Sequence, residues 1–234
     1  MYLCAHLFTG ILLGLGFSQL CKDRRLVPVC IAGTLFPDVL DKSLRFIIPG
    51  FFGSTRTIGH TVFLAVLIGI AALIVWYHYR SILGIAFAGT VLIHQVMDMM
   101  WTLPVTWFFP LHGMFPVLSL PGGFLPLLWI ELTNPSEWVF AAASCIVILI
   151  GFAGLPGSRL PSLSDRTISL MQYGMAVLLG ITGAFLIIAG SGPFSGTIPA
   201  LHAGLDKTLV AGLVALFGAV VLVLISGLER PALR

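Results

Sequence analysis

Long apolar stretches alternate with short polar ones along this chain, at a spacing set by a bilayer. The clearest runs are His60–Tyr77, Ser81–Met100, Trp138–Leu155, Ser169–Gly190 and Thr208–Leu228. Each is close to the roughly 20 residues that carry a helix across a hydrocarbon layer of about 30 Å. Met1–Leu20 is a sixth; it lacks a basic leader and a small-x-small cleavage site, so it is expected to be a retained helix and not a signal peptide. Leu26–Pro37 falls short, because twelve helical residues reach only ~18 Å. It is expected to be a half-helix continued by irregular chain, or a re-entrant loop.

The basic residues choose between those two. If Leu26–Pro37 crosses, eight Lys and Arg (Lys22, Arg24, Arg25, Arg80, Arg159, Arg166, Arg230, Arg234) share one side, and four (Lys42, Arg45, Arg56, Lys207) share the other. If it does not cross, the division is seven to five. The positive-inside rule therefore favours seven segments with the N-terminus outside and the C-terminus cytoplasmic. The fold expected is all-α: a polytopic transmembrane helical bundle of about seven membrane segments, one of them short or broken.

Composition changes the picture only by excluding soluble folds. The chain of 234 residues is 58% hydrophobic and 9% charged, where soluble domains carry about 25% charge. A net charge of +3 spread through loops serves topology and does not make a nucleic-acid surface. Cys4, Cys21, Cys30 and Cys145 have no metal-type spacing and read as small hydrophobes. Residues 101–137 carry no Lys or Arg but are rich in Trp, Phe and Pro, which suits an interfacial cover. The division expected is a site-bearing region, 1–137, followed by a three-helix scaffold, 138–234. In the scaffold Gly174, Gly180, Gly183 and Gly218 are expected to allow close helix approach.

Against this apolar background a few polar residues stand out. His94 and Asp98 lie four apart within Arg80–Trp101, so a helix puts them on one face. Ionisable groups at that depth are costly unless they bind something. His6, Asp38 and His60 lie at or near the ends of other segments. In the seven-segment topology all five fall on the outer side, a His/Asp set able to hold one or two divalent metals. Each has a plainer use by itself. His6 can snorkel, Asp38 can cap a short helix Val39–Phe46, His60 can start a helix, and Arg56 can meet a lipid headgroup. Asp41 is a candidate to support a ligand from behind, and His112 and His202 are spare outer-side imidazoles.

The order of the motifs carries a resemblance. His6 is followed by GTLFPDVLD (Gly33–Asp41), RTIGHT (Arg56–Thr61) and HQVMD (His94–Asp98), then Thr102 and Pro110. Over the first half, this resembles the bacterial and archaeal inner-membrane metal-dependent hydrolases described in part as LexA-binding. More distantly, it is similar to the zinc-dependent phospholipase C and P1 nuclease superfamily. The resemblance implies that His6, Asp38, His60, His94 and Asp98 are metal ligands, with Asp98 bridging two ions. It also implies a divalent cofactor, Zn2+ or alternatively Mn2+. Two features depart from the pattern: Thr55 stands where a His often precedes the Arg, and the downstream His-x-x-x-Glu of a third metal site is missing.

The chemistry implied is metal-assisted hydrolysis of a phosphoester, with Asp98 and Arg56 in catalytic roles and Arg56 gripping a non-bridging oxygen through its planar fork. A site at headgroup level in the inner membrane suits a phospholipid or polyprenyl phosphate substrate. A proton- or cation-coupled transporter using Asp38, His94 and Asp98 is the alternative, although transporters usually place charge in both halves and the second half here is nearly bare. A non-catalytic membrane partner protein is a third reading.

Overall fold

The computed structural model describes residues 3–48, 54, 56–115, 129, 132–153, 164–190 and 205–228. Every regular element among them is helical. In chain order these are α1 (Leu3–Cys21), α2 (Leu26–Ile47), a 3-10 turn (Ile58–His60), α3 (Val62–Tyr79), α4 (Leu83–Met97), a second 3-10 turn (Met100–Thr102), and α5 (Pro104–Trp107). Three more follow: α6 (Pro135–Ala153), α7 (Asp165–Gly190) and α8 (Leu205–Leu228).

Three of these stretches are long and apolar enough to cross a membrane: Leu3–Cys21, Val62–Tyr79 and Arg166–Ala189. Leu83–Met97, Pro135–Ile150 and Thr208–Leu224 are shorter apolar helices. The protein is thus an all-helical, membrane-spanning bundle. Its surface agrees, because α3 turns Phe63, Leu67, Ile70 and Ile74 outward and buries Ala65 and Ala72. That arrangement of large side chains outside and small ones inside suits lipid, where close backbone approach replaces hydrophobic exclusion as the packing force.

The chain forms two compact units, Met1–Phe8 with Trp129–Arg234, and Thr9–Leu128. In the first, α7 packs along α8, with Gly183 against the Gly212 carbonyl and Leu216. Gly218 leaves room for the Phe8 ring, which also meets Phe140 with centroids 5.9 Å apart. Gly174 and Gly180 face open space, so of the four glycines expected at helix contacts two serve there. The cover expected over 101–137 falls partly on 116–128, 130 and 131, outside the described residues.

The second unit holds α2, α3 and α4 together, with α2 packed on α4 and α3 on α4. The expected break after Pro37 is absent: α2 runs unbroken from Leu26 to Ile47 with Pro37 inside it, a rise of ~33 Å. Asp38 consequently lies within a helix and does not cap one. A proline in a helix removes one N–H and crowds the preceding turn, and within a membrane protein neighbouring helices can take the freed carbonyls. At Gly33 the crossing with α4 is so close that a Cβ would overlap the Thr90 hydroxyl and stand 2.7 Å from the Phe87 carbonyl. The Thr90 hydroxyl in turn donates within its own helix, to Ala86 O at 2.8 Å, so it brings no unpaired group into the contact.

Candidate metal centre

Three elements of the second unit deliver polar groups to one place. Asp38 comes from the middle of α2, His60 from the turn before α3, and His94 from the last turn of α4. Thr61 starts α3 as its N-cap, its hydroxyl accepting from Leu64 N at 3.1 Å. That cap fixes the chain direction just after His60. Because α3 begins where α4 ends, His60 and His94 meet: their Nε2 atoms are 3.1 Å apart. Asp38 Oδ1 lies 3.6 Å from His60 Nε2 and 4.0 Å from His94 Nε2. One ligand atom from each of the three lies within 4.8 Å of the others.

Hydrogen bonds behind the imidazoles set what faces forward. His94 Nδ1 donates to the Thr34 carbonyl at 2.6 Å; a carbonyl can only accept, so a neutral His94 carries its lone pair on Nε2. Thr34 lies in the helical turn that Pro37 crowds. Pro37 has no N–H to give the Gly33 carbonyl four residues back, and the carbonyl next to that one, Thr34 O, holds the ligand. His60 Nδ1 donates to Asp41 Oδ2 at 2.7 Å, which likewise leaves Nε2 as the acceptor. Asp41 is itself fully buried and gathers Thr57 N (2.6 Å), Thr57 Oγ1 (2.8 Å) and Gly59 N (2.7 Å). Gly59 has to be glycine, because a Cβ would stand 2.5 Å from the Pro37 carbonyl and 3.0 Å from Asp41 Oδ1.

Two facing lone pairs beside a carboxylate make a repulsive arrangement unless a positive centre lies between them. Asp38 is 1% exposed, and neither of its oxygens has a hydrogen-bond partner among the described residues. A buried carboxylate left in that state is expensive. Burial alone would disfavour charge on His60, but the carboxylates of Asp41, Asp98 and Asp38 outweigh it and push its pKa up to about 9. A proton is one occupant of this space; a divalent ion is the other. Around a tetrahedral ion with bonds of about 2.0–2.1 Å, ligand atoms stand ~3.3 Å apart, close to the spacings found. An Asp/His/His site able to coordinate a divalent metal is therefore present, with both imidazoles oriented from behind as metal-ligating histidines usually are.

The remaining expected residues sort around that core. Asp98 follows the end of α4, its N–H bonded to His94 O at 2.9 Å. Its Oδ2 lies 3.6 Å from His60 Nε2 and accepts from Arg56 Nε at 2.8 Å and Nη2 at 2.7 Å. His6 is buried on α1, in the stretch that belongs to the first unit. His112 is exposed, its ring 5.3 Å from that of Phe108, and His202 lies outside the described residues. His78 is exposed between Tyr77 and Tyr79.

Gln95 is the residue that sequence reasoning missed. It is 1% exposed, donates through Nε2 to Gly59 O (3.3 Å) and Thr61 O (3.1 Å), and accepts from Trp107 Nε1 at 3.0 Å. It thereby ties α4 and α5 to the turn that presents His60. An amide beside His94 in an otherwise apolar run was the available signal.

The fold and this centre define a class: a multi-helix membrane protein with a buried metal-type Asp/His/His site. A family model agrees with the membrane part of that class. The YdjM inner membrane protein model matches residues 1–160, and the chain belongs to that family. The match takes in every residue of the centre. No curated protein and no solved structure matches the chain.

Proposed function

We propose that this protein is an integral-membrane, metal-dependent hydrolase that cleaves a phosphoester at headgroup level, on a phospholipid or polyprenyl phosphate. One observation carries the reading: two imidazoles with their Nδ1 atoms already engaged aim their Nε2 atoms at each other beside a buried carboxylate without a hydrogen bond. A divalent ion bound there, Zn2+ by the donor set with Mn2+ the alternative, would acidify water and polarise a phosphoryl oxygen.

The chain's own residues have separate tasks. Asp38, His60 and His94 hold the ion, and Asp98 stands ready as a further ligand or a bridge to a second one. Arg56 grips Asp98 in the resting protein and turns its fork to a non-bridging phosphate oxygen when substrate enters. The seven-segment topology, with the site and N-terminus outside and the C-terminus in the cytoplasm, belongs to the same proposal.

Purified protein should hold a stoichiometric divalent ion by elemental analysis, lose it on His94→Ala, and release phosphate or a headgroup from lipid phosphoesters. Intact, metal-free protein that moves protons across vesicles would instead establish the transport reading.

A further inference from the structure

The ligand atoms are sealed, but what lies outside them is not neutral. His60, His94, Asp38 and Asp98 are at most 2% exposed. The more accessible neighbours of the two carboxylates are both cations. Lys42 stands with its Nζ 3.7 Å from Asp38 Oδ2 and its side chain 21% exposed. Arg56 is on Asp98 and 14% exposed. Lys42 follows Asp38 by four residues on α2, so the helix returns it to the same face. Arg45, three residues further on, continues that face; its Nη1 is buried without a hydrogen-bond partner among the described residues. The rest of this half of α2 exposes Val39, Phe46 and Ile47.

Counting charge gives the ligand its sign. Asp38, Asp41 and Asp98 contribute three negative charges, while one divalent ion with Lys42 and Arg56 contributes four positive ones; Arg45 adds a fifth. In a site with little water this surplus is felt strongly. It repels an arriving cation and attracts an anion. Resting on the metal-hydrolase reading, we infer that Lys42, with Arg45, is a second arm of an oxyanion subsite opposite Arg56. The class of substrate is then an anionic, tetrahedral phosphate ester, and its phosphate enters between Lys42 and Arg56. Zwitterionic or neutral esters lack the charge this rim requires.

The test is calorimetric titration of the full-length, metal-loaded protein with inorganic phosphate in phosphatidylcholine nanodiscs, for wild type, Lys42→Gln and Lys42→Arg. Losing one charge-assisted contact should weaken phosphate by about tenfold or more, and Lys42→Arg should recover most of it. Metal content should stay constant or rise in Lys42→Gln, because a cation beside Asp38 has been removed; a variant that merely misfolds would lose its metal. Doping the nanodiscs with phosphatidic acid separates the sources. Competition with inorganic phosphate assigns the subsite to a lipid headgroup, and indifference assigns it to a soluble phosphate ester. Equal phosphate binding by wild type and Lys42→Gln, with metal retained by both, overturns the inference and leaves the hydrolase reading intact. Wild-type protein that takes up no metal, yet binds phosphate through Lys42, removes the metal reading alone.

Discussion

Asp41→Asn is the most informative single change, because it alters charge without altering shape at a residue that touches neither substrate nor ion. The aspartate uses both oxygens fully: Oδ1 accepts from Thr57 Oγ1 and Gly59 N, and Oδ2 from Thr57 N and His60 Nδ1. An asparagine has only one acceptor oxygen. If its carbonyl replaces Oδ1, its amide confronts the Thr57 N–H; if it replaces Oδ2, its amide confronts the Gly59 N–H. Either way one buried backbone donor is orphaned, at a cost of about 1–3 kcal/mol. The first orientation also asks His60 to accept at Nδ1, which would put its proton on Nε2 and spoil the ligand. Removing such a partner from behind a ligating histidine typically lowers metal affinity 10–100-fold. Competition with a chromophoric chelator measures that loss, and denaturant unfolding in micelles measures the other. An Asp41→Asn protein that keeps wild-type metal affinity and an unchanged unfolding midpoint would refute the idea that Asp41 orients His60.

Other consequences follow from the same contacts. Gly33→Val should force α2 and α4 apart at Thr90 and Phe87, destabilising the second unit by about 1–3 kcal/mol; a lowered thermal midpoint in detergent checks this. Gln95→Leu should orphan the Trp107 indole N–H and loosen Gly59 and Thr61, again by about 1–3 kcal/mol. It should weaken metal binding without touching a ligand, and difference fluorescence against a Trp107→Phe background should register the change at the indole.

Much of this architecture could be read from the sequence, and the exceptions have physical causes. Apolar runs located α3, α4, α6, α7 and α8 to within a few residues, because length and hydropathy are what a bilayer selects. The reading of α2 failed at Pro37. A proline normally ends a helix, the apolar run stops there, and Asp38 just after it suits the cap of a new short helix. In the folded chain, those residues turn one face toward the centre while Val39, Phe46 and Ile47 point out, so the second half of the helix is stabilised by its site. The meeting of His60, His94 and Asp38 could be anticipated from the rarity of such groups in apolar chain. Of the partners behind them, Asp41 is in view as a support for a ligand and does bond His60 Nδ1; Gln95 is marked only as an amide in an apolar run, and the Thr34 carbonyl carries no mark at all. Which backbone carbonyl meets His94, and which nitrogen of its imidazole is thereby engaged, depends on how α2 and α4 cross.

That crossing links the fold to its chemistry. Gly33 lets α4 approach α2 closely enough for His94 Nδ1 to reach Thr34 O, and Pro37 lies one turn away, where its ring loosens the ladder. Gly59 lets the turn before α3 lie against Pro37 and Asp41, which brings His60 to the same point. The two small residues and the proline are therefore as much determinants of the centre as its ligands are. A larger side chain at either glycine would leave Asp38, His60 and His94 in the sequence and still separate their ligand atoms.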